Sequence, residues 1–158
     1  MRISTGLGYD VHALAVGRPL IIGGIEIPFH KGSVGHSDGD ALIHALVDAL
    51  LGAAALGDIG QYFPSDDPAW KDRPSVDFLV DTVNRVQEAG FSIQHVDATI
   101  ILQEPHVSEA IPLMREKLAG VMSLDLTRVS VKATTTDHLG FTGTGAGWAA
   151  LAIATLAS

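Results

Sequence analysis

The sequence predicts a mixed α/β or α+β sandwich, a small sheet with helices packed on one face. A single domain over residues 1–158 is expected. Three observations predict it. Strand-like and helix-like stretches alternate along the chain. Its 158 residues suit one domain able to bury a substantial core without staples. Apolar residues make up 47% and charged residues 18%, which argues against a disordered chain.

The elements follow in order. Ile3 to His12 reads as a strand. Leu20–Ile22 and Ile25–Ile27, joined by Gly23-Gly24, read as a tight hairpin, because two glycines supply the positive φ of a two-residue turn. Ser37-Asp38-Gly39-Asp40 opens the clearest helix, with Ser37 and an acid three residues later resembling a capping box. Ile43, Val47, Leu50, Leu51 and Ala54 give that helix a buried face. Asp58 to Arg73, rich in Asp, Pro and Gly, reads as a long loop of the kind that carries function. Ser75 to Ala89 is a second amphipathic helix stopped by Gly90. The β-branched run Val96 to Ile101, within Phe91 to Gln103, is a buried strand. Glu109 to Gly120 is a third helix, and Arg128 to Ala133 a strand. Trp148 to Leu156 is open between helix, which its alanines favour, and a sheet-forming tail.

The formal net charge is −8, which argues against a nucleic-acid partner or an anionic membrane surface. It leaves a phosphorylated small substrate open, since metal ions and local cations neutralise phosphates inside acidic proteins. With no cysteine, disulfides and thiolate zinc sites are excluded, so a zinc site must use His, Asp or Glu. No apolar run is long enough to span a bilayer, and the first residues lack a signal-peptide pattern. The expected compartment is cytoplasmic.

Four groups of residues carry chemistry. In Asp10-Val11-His12, residues i and i+2 of a strand face one side, so a carboxylate and an imidazole converge. Asp40, His44 and Asp48 recur along one face of the helix after His36-Ser37-Asp38-Gly39. Two ligands from the strand and one from the helix would make an Asp-His-His set, three protein ligands with an open fourth position, as in catalytic zinc sites. The same residues also read as a surface Asp-His pair and a packed helix histidine. Thr134-Thr135-Thr136-Asp137, at a strand end, offers hydroxyls and N–H groups to phosphate oxygens, or forms a simple turn. Gly57-Asp58-Ile59-Gly60 and Phe63-Pro64-Ser65-Asp66-Asp67 bind sugar hydroxyls or cap and turn. Gly143 to Gly147 is glycine-rich but lies too near the end of the chain for a dinucleotide fingerprint.

Together GYDVHAL (8–14), RPLIIGGIEIP (18–28), GHSDGDALIHALVDALLGAAALGDIG (35–60), FPSDDPAW (63–70) and VKATTTDHLGFTG (131–143) resemble the 2-C-methyl-D-erythritol 2,4-cyclodiphosphate synthase family of non-mevalonate isoprenoid biosynthesis. The pieces occur in the family's order over nearly the whole chain.

The resemblance implies a homotrimer with active sites between subunits. The implied reaction converts 4-diphosphocytidyl-2-C-methyl-D-erythritol 2-phosphate to the cyclodiphosphate and CMP, a phosphorus–oxygen lyase activity. By the same resemblance Asp10, His12 and His44 hold zinc. Asp137 stands where the family usually has a glutamate on a second metal, magnesium or manganese. His36 and Thr135 match the residues that hold the phosphates in reactive geometry. Ser37, Asp58, Gly60, Phe63, Pro64, Ser65, Asp66 and Asp67 match methylerythritol-phosphate contacts, and Asp10, His12, His36 and Ile59 are further expected substrate contacts. Leu102, Gln103, Glu104, Pro105, His106, Val107 and Ser108, with Thr134, Thr135, Thr136 and Asp137, match cytidine and diphosphate contacts, to which Phe141 and Thr144 are added. The chain departs from the pattern at His106, where lysine is common. It departs also at Thr144, where arginine is common, and at Ala146, where glutamate is common.

Overall fold

Residues Ile3–Val16 form strand β1 in the computed structural model, which describes all of residues 1–158. Successive residues of a strand face opposite sides, and β1 uses that period to separate two surfaces. Gly6, Gly8, Asp10 and His12 face the helical layer, while Ile3, Leu7, Tyr9 and Val11 lie on the other side and are exposed. The hairpin forms as read, β2 (Leu20–Ile22) against β3 (Ile25–Ile27), with Gly23 and Gly24 at φ 60 and 74. Strand β4 (Lys31–Ser33) then pairs with the end of β1.

Helix α1 (Ala41–Ala53) starts later than the capping-box reading places it. Asp40 is its N-cap, accepting the Ile43 N–H at 3.1 Å, and Ser37 stands outside the helix. Gly39, at φ 71, turns the chain between them, so helical conformation begins only after Asp40. Asp40 also accepts from the hairpin turn, its Oδ1 from the Gly23 N–H at 3.0 Å and its Oδ2 from the Gly24 N–H at 2.7 Å. One carboxylate thus joins the hairpin turn to the start of α1. Only Asp48 and Gly52 of the helix escape full burial, because α1 lies between the sheet and a second helix.

The Asp58–Arg73 stretch is less loop-like than expected. It contains a short helix α2 (Ile59–Tyr62) and a 3-10 turn (Pro68–Trp70), capped by Asp58 and Asp67. Helix α3 (Ser75–Glu88) packs on α1 and ends before Gly90 at φ 86. Strand β5 (Ser92–Ile101) follows. A 3-10 turn (Ser108–Ala110) then leads into α4 (Ile111–Met122), which crosses to β6 (Val129–Thr134). The one-turn helix α5 (Gly140–Gly143) precedes the last strand, β7 (Gly147–Ala157).

The main sheet has the order β4-β1-β7-β5-β6, with β5 and β6 parallel and the remaining pairs antiparallel. The undecided tail is therefore the central strand, hydrogen-bonded to β1 on one side and β5 on the other. Its alanines are the reason it packs there. Ala150, Ala152 and Ala154 are buried under α1, where larger side chains would push the helix off the sheet. The helices share one face, as expected. The opposite face displays Leu7, Tyr9, Val11, Leu151 and Ile153. No helix is long and apolar enough to cross a membrane.

Candidate active site

β1 and α1 bring together the three residues that strand and helix periodicity single out. Asp10 and His12 leave β1 on the side of α1, and His44 descends from the first turn of that helix. Their ligating atoms all lie within 4.8 Å of one another. Asp10 Oδ2 is 2.9 Å from His12 Nδ1 and 3.3 Å from His44 Nδ1, and the two rings sit 5.2 Å apart. Burial pushes the Asp10 carboxyl up, but the two imidazoles, His12 first and then His44, outweigh it and hold the group below its ordinary range.

This cluster fits a divalent metal ion. His12 Nδ1 is buried and has no hydrogen-bond partner, since its approach to Asp10 is short but misaligned. Such an orphaned nitrogen is costly unless something else satisfies it. One carboxylate oxygen and two imidazole nitrogens converging from rigid elements are a suitable donor set. Asp40 and Asp48 do not join it. Asp40 is committed to α1 and the hairpin, and Asp48 accepts the Ile59 N–H at 2.7 Å.

The cluster forms part of the wall of a cleft of about 370 Å³. His36 and Ser37 line the same cleft, joined by Ile59, Gly60, Phe63 and Ser65 from the segment after α1. His36 is fixed from behind, its Nε2 donating to the Asp67 carbonyl at 3.1 Å. Phe63 stacks on Phe78 at 4.7 Å and meets the edge of Trp70 at 5.0 Å, so an aromatic wedge holds the segment in place. Asp58 and Asp67 serve as helix caps, while Pro64 and Asp66 lie on the intervening turn rather than on the cleft wall.

The remaining predicted contacts lie elsewhere on the chain. Leu102, Pro105, His106, Val107 and Ser108 form a shallow pocket of about 130 Å³ with Ala133, Thr134 and Thr135, where β5 and β6 end. Gln103, Glu104 and Thr144 line a neighbouring recess with His30, Lys31 and His138. Thr136 and Asp137 form the turn after β6. Thr136 Oγ1 donates to the Leu139 carbonyl at 2.7 Å, and Thr135 Oγ1 accepts the Asp137 N–H at 3.3 Å. Phe141 is exposed on α5. Since β7 and β5 separate β1 from β6, the two regions are about 14 Å apart at the usual strand spacing. Within one chain, Thr135 and Asp137 do not reach the Asp10–His12–His44 cleft.

Several residues of the cleft carried no signal in the sequence. Val11 lies between Asp10 and His12 on β1, and Trp70 and Phe78 close the aromatic wall. Phe78 belongs to the buried stripe of α3 and reads as plain core. Ser75 Oγ lies 2.8 Å from His44 Nε2, although Ser75 reads only as the start of a helix.

Comparison with known proteins places this geometry in a family. The family model described as the YgbB family matches residues 3–157. The 2-C-methyl-D-erythritol 2,4-cyclodiphosphate synthase of Moorella thermoacetica is 53% identical over 156 residues, covering 99% of this chain and 94% of that protein. The bifunctional IspDF of Campylobacter jejuni superposes with a TM-score of 0.95 at 41% identity, over 98% of this chain and 42% of that longer one. A solved 2C-methyl-D-erythritol-2,4-cyclodiphosphate synthase in its CDP-bound form superposes with a TM-score of 0.89 at 35% identity, over 99% of this chain and all of that one.

Proposed function

Because the chain belongs to the YgbB family, that of the 2-C-methyl-D-erythritol 2,4-cyclodiphosphate synthases, we propose that it cyclises 4-diphosphocytidyl-2-C-methyl-D-erythritol 2-phosphate. The 2-phosphate oxygen attacks the β-phosphorus of the same molecule. The bond from that phosphorus to the bridging oxygen of the α-phosphate breaks, and CMP leaves with that oxygen. The observation that carries the reading is the convergence of Asp10, His12 and His44 on one wall of the cleft.

The residue types suit this chemistry. The nucleophile is tethered to its target, so no side-chain nucleophile is needed and correct folding of the substrate supplies much of the acceleration. Asp10, His12 and His44 would hold zinc, and Asp137 would hold magnesium or manganese, and these ions would neutralise phosphate oxygens. His36, held by the Asp67 carbonyl, presents its ring to the phosphate end of the cleft. Ser37 and the Ile59–Gly60 corner bind the methylerythritol phosphate, and the aromatic wedge of Phe63, Trp70 and Phe78 keeps that corner rigid. The cytidine enters the pocket between Leu102 and Ser108, whose lining by Thr134 and Thr135 supports hydroxyl contacts to the diphosphate.

The separation of the two regions within one chain favours a homotrimer in which one subunit supplies the metal cleft and its neighbour the nucleotide pocket. The CDP-bound relative supports a cytidine nucleotide as ligand. The test is chromatography of the nucleotide products after incubation with the diphosphocytidyl substrate, zinc and magnesium. One CMP per substrate consumed is expected. Release of CDP or of inorganic phosphate would instead indicate a metal phosphoesterase.

A further inference from the structure

His44 is held on both sides of its ring, and the partners on the side away from Asp10 determine where its proton sits. Ser75 Oγ, fully buried, lies 2.8 Å from His44 Nε2. The same hydroxyl donates to Asp38 Oδ1, and the Ser75 N–H donates to Asp38 Oδ2 at 3.0 Å. A serine hydroxyl has one proton. With that proton donated to the Asp38 carboxylate, Ser75 can meet His44 only as an acceptor. A lone pair on Nε2 would then oppose a lone pair on Ser75 at hydrogen-bond distance, so Nε2 must carry hydrogen. Ser37 Oγ, at 3.2 Å, is the second acceptor of that N–H.

With the proton on Nε2, the neutral ring has its lone pair on Nδ1. That lone pair points at Asp10 Oδ2, 3.3 Å away, and a cation held between the two would take both as ligands.

We propose that Ser75 and Asp38 are positioning residues of the metal centre. They hold His44 in the Nε2–H tautomer and aim its Nδ1 lone pair at the ion. The inference rests on Asp10, His12 and His44 being metal ligands. Neither Ser75 nor Asp38 touches the ion; they act through the ring of His44, as hydrogen-bonded partners of ligating histidines do elsewhere. Their placement follows from the fold. Helix α3 has Pro74 at its N-cap, which offers no side-chain acceptor, and Asp38 from the loop before α1 takes the Ser75 N–H instead. The contact that starts α3 therefore also orients the histidine of α1.

Two measurements test this, neither of them activity. Long-range nitrogen–proton NMR of the zinc-loaded protein should show His44 carrying its hydrogen on Nε2 and none on Nδ1. A His44 protonated on Nδ1 would overturn the proposal whatever the behaviour of variants. Zinc affinity, from competition with a chromophoric chelator, should fall about 10- to 100-fold in Ser75→Ala and Asp38→Asn. Melting curves recorded in excess chelator check that both variants fold. A folded Ser75→Ala that keeps wild-type zinc affinity, while His44→Ala loses zinc, would refute the positioning role and leave the ligand set standing. Zinc retained by His44→Ala would refute the ligand set itself.

Discussion

Gly8 lies directly beneath the carbonyl of Ala45, so close that a Cβ on Gly8 would stand 1.8 Å from that oxygen. Gly6 sits in the same way beneath Ala49, where a Cβ would be 2.1 Å from the carbonyl oxygen. These two glycines allow β1 and α1 to touch backbone to backbone. That contact lets a strand carboxylate and a helix imidazole share one metal-sized space. Gly8→Ala should therefore lift α1 from the sheet. The clash is with backbone rather than with a flexible side chain, so the expected loss of stability is about 3 kcal/mol or more, at the upper end for overpacking. Zinc binding should fall with it. Urea denaturation and zinc titration of the variant check both.

Each of the three ligands should be needed for the ion and dispensable for folding. His12→Ala and His44→Ala should lose stoichiometric zinc, measured by elemental analysis of the dialysed protein, while their circular dichroism stays native. The histidines lie at the cleft wall rather than in the middle of the apolar core, so removing either imidazole leaves the sheet–helix packing in place. Wild-type zinc content in either variant would contradict the assignment.

Thr135 should act mainly on the transition state. Thr135→Ala is expected to lower kcat far more than it weakens CMP binding, because its hydroxyl is assigned to holding the phosphates in line. Equal losses would make it a ground-state contact. Thr135 and His36 also lie in separate pockets of one chain. On the proposed trimer, mixed assemblies of His36→Ala and Thr135→Ala, each inactive alone, should thus recover roughly a quarter of wild-type activity, the share of interfaces receiving both intact halves in random assembly. No recovery in verified mixed trimers would place the whole site in one subunit.

Asp40 gives the stability a distinctive pH dependence. Burial, and then the charge of Asp38, push its carboxyl up from 3.8 to about 6, against the pull of the Gly24, Ile43 and Gly23 N–H groups. The folded state therefore holds this proton more tightly than the unfolded state. The contribution to stability is complete below about pH 4 and is lost as pH rises through about 6, amounting to about 3 kcal/mol for a shift of this size. Asp40→Asn should flatten stability against pH over that interval relative to wild type. Urea midpoints measured from pH 4 to 7 in the presence of chelator provide the comparison. A wild-type curve parallel to that of the variant would contradict a raised Asp40.

The parts of the fold that rest on local chemistry were readable in the sequence. Gly23-Gly24 announces its own hairpin, because few other pairs accept positive φ twice in succession. The spacing of Asp10 and His12 puts both on one face of β1 whatever surrounds them. Features that depend on distant partners were not readable. The start of α1 was misplaced because Ser37 and Asp40 are equally good caps locally. Asp40 wins through the turn at Gly39 and through hairpin N–H groups 16 and 17 residues away. The tail from Trp148 was undecided because its alanines express helix propensity, whereas its place between β1 and β5 is a property of the whole sheet. Ser75 was invisible for the same reason, since 31 residues separate it from His44.

The most direct test of the proposed function is phosphorus NMR of the wild-type reaction, with the diphosphocytidyl substrate, zinc and magnesium. Intramolecular attack predicts two mutually coupled signals of a cyclic diphosphate, rising in step with the single resonance of CMP. A growing inorganic phosphate signal, or a linear diphosphate in place of the coupled pair, would contradict cyclisation.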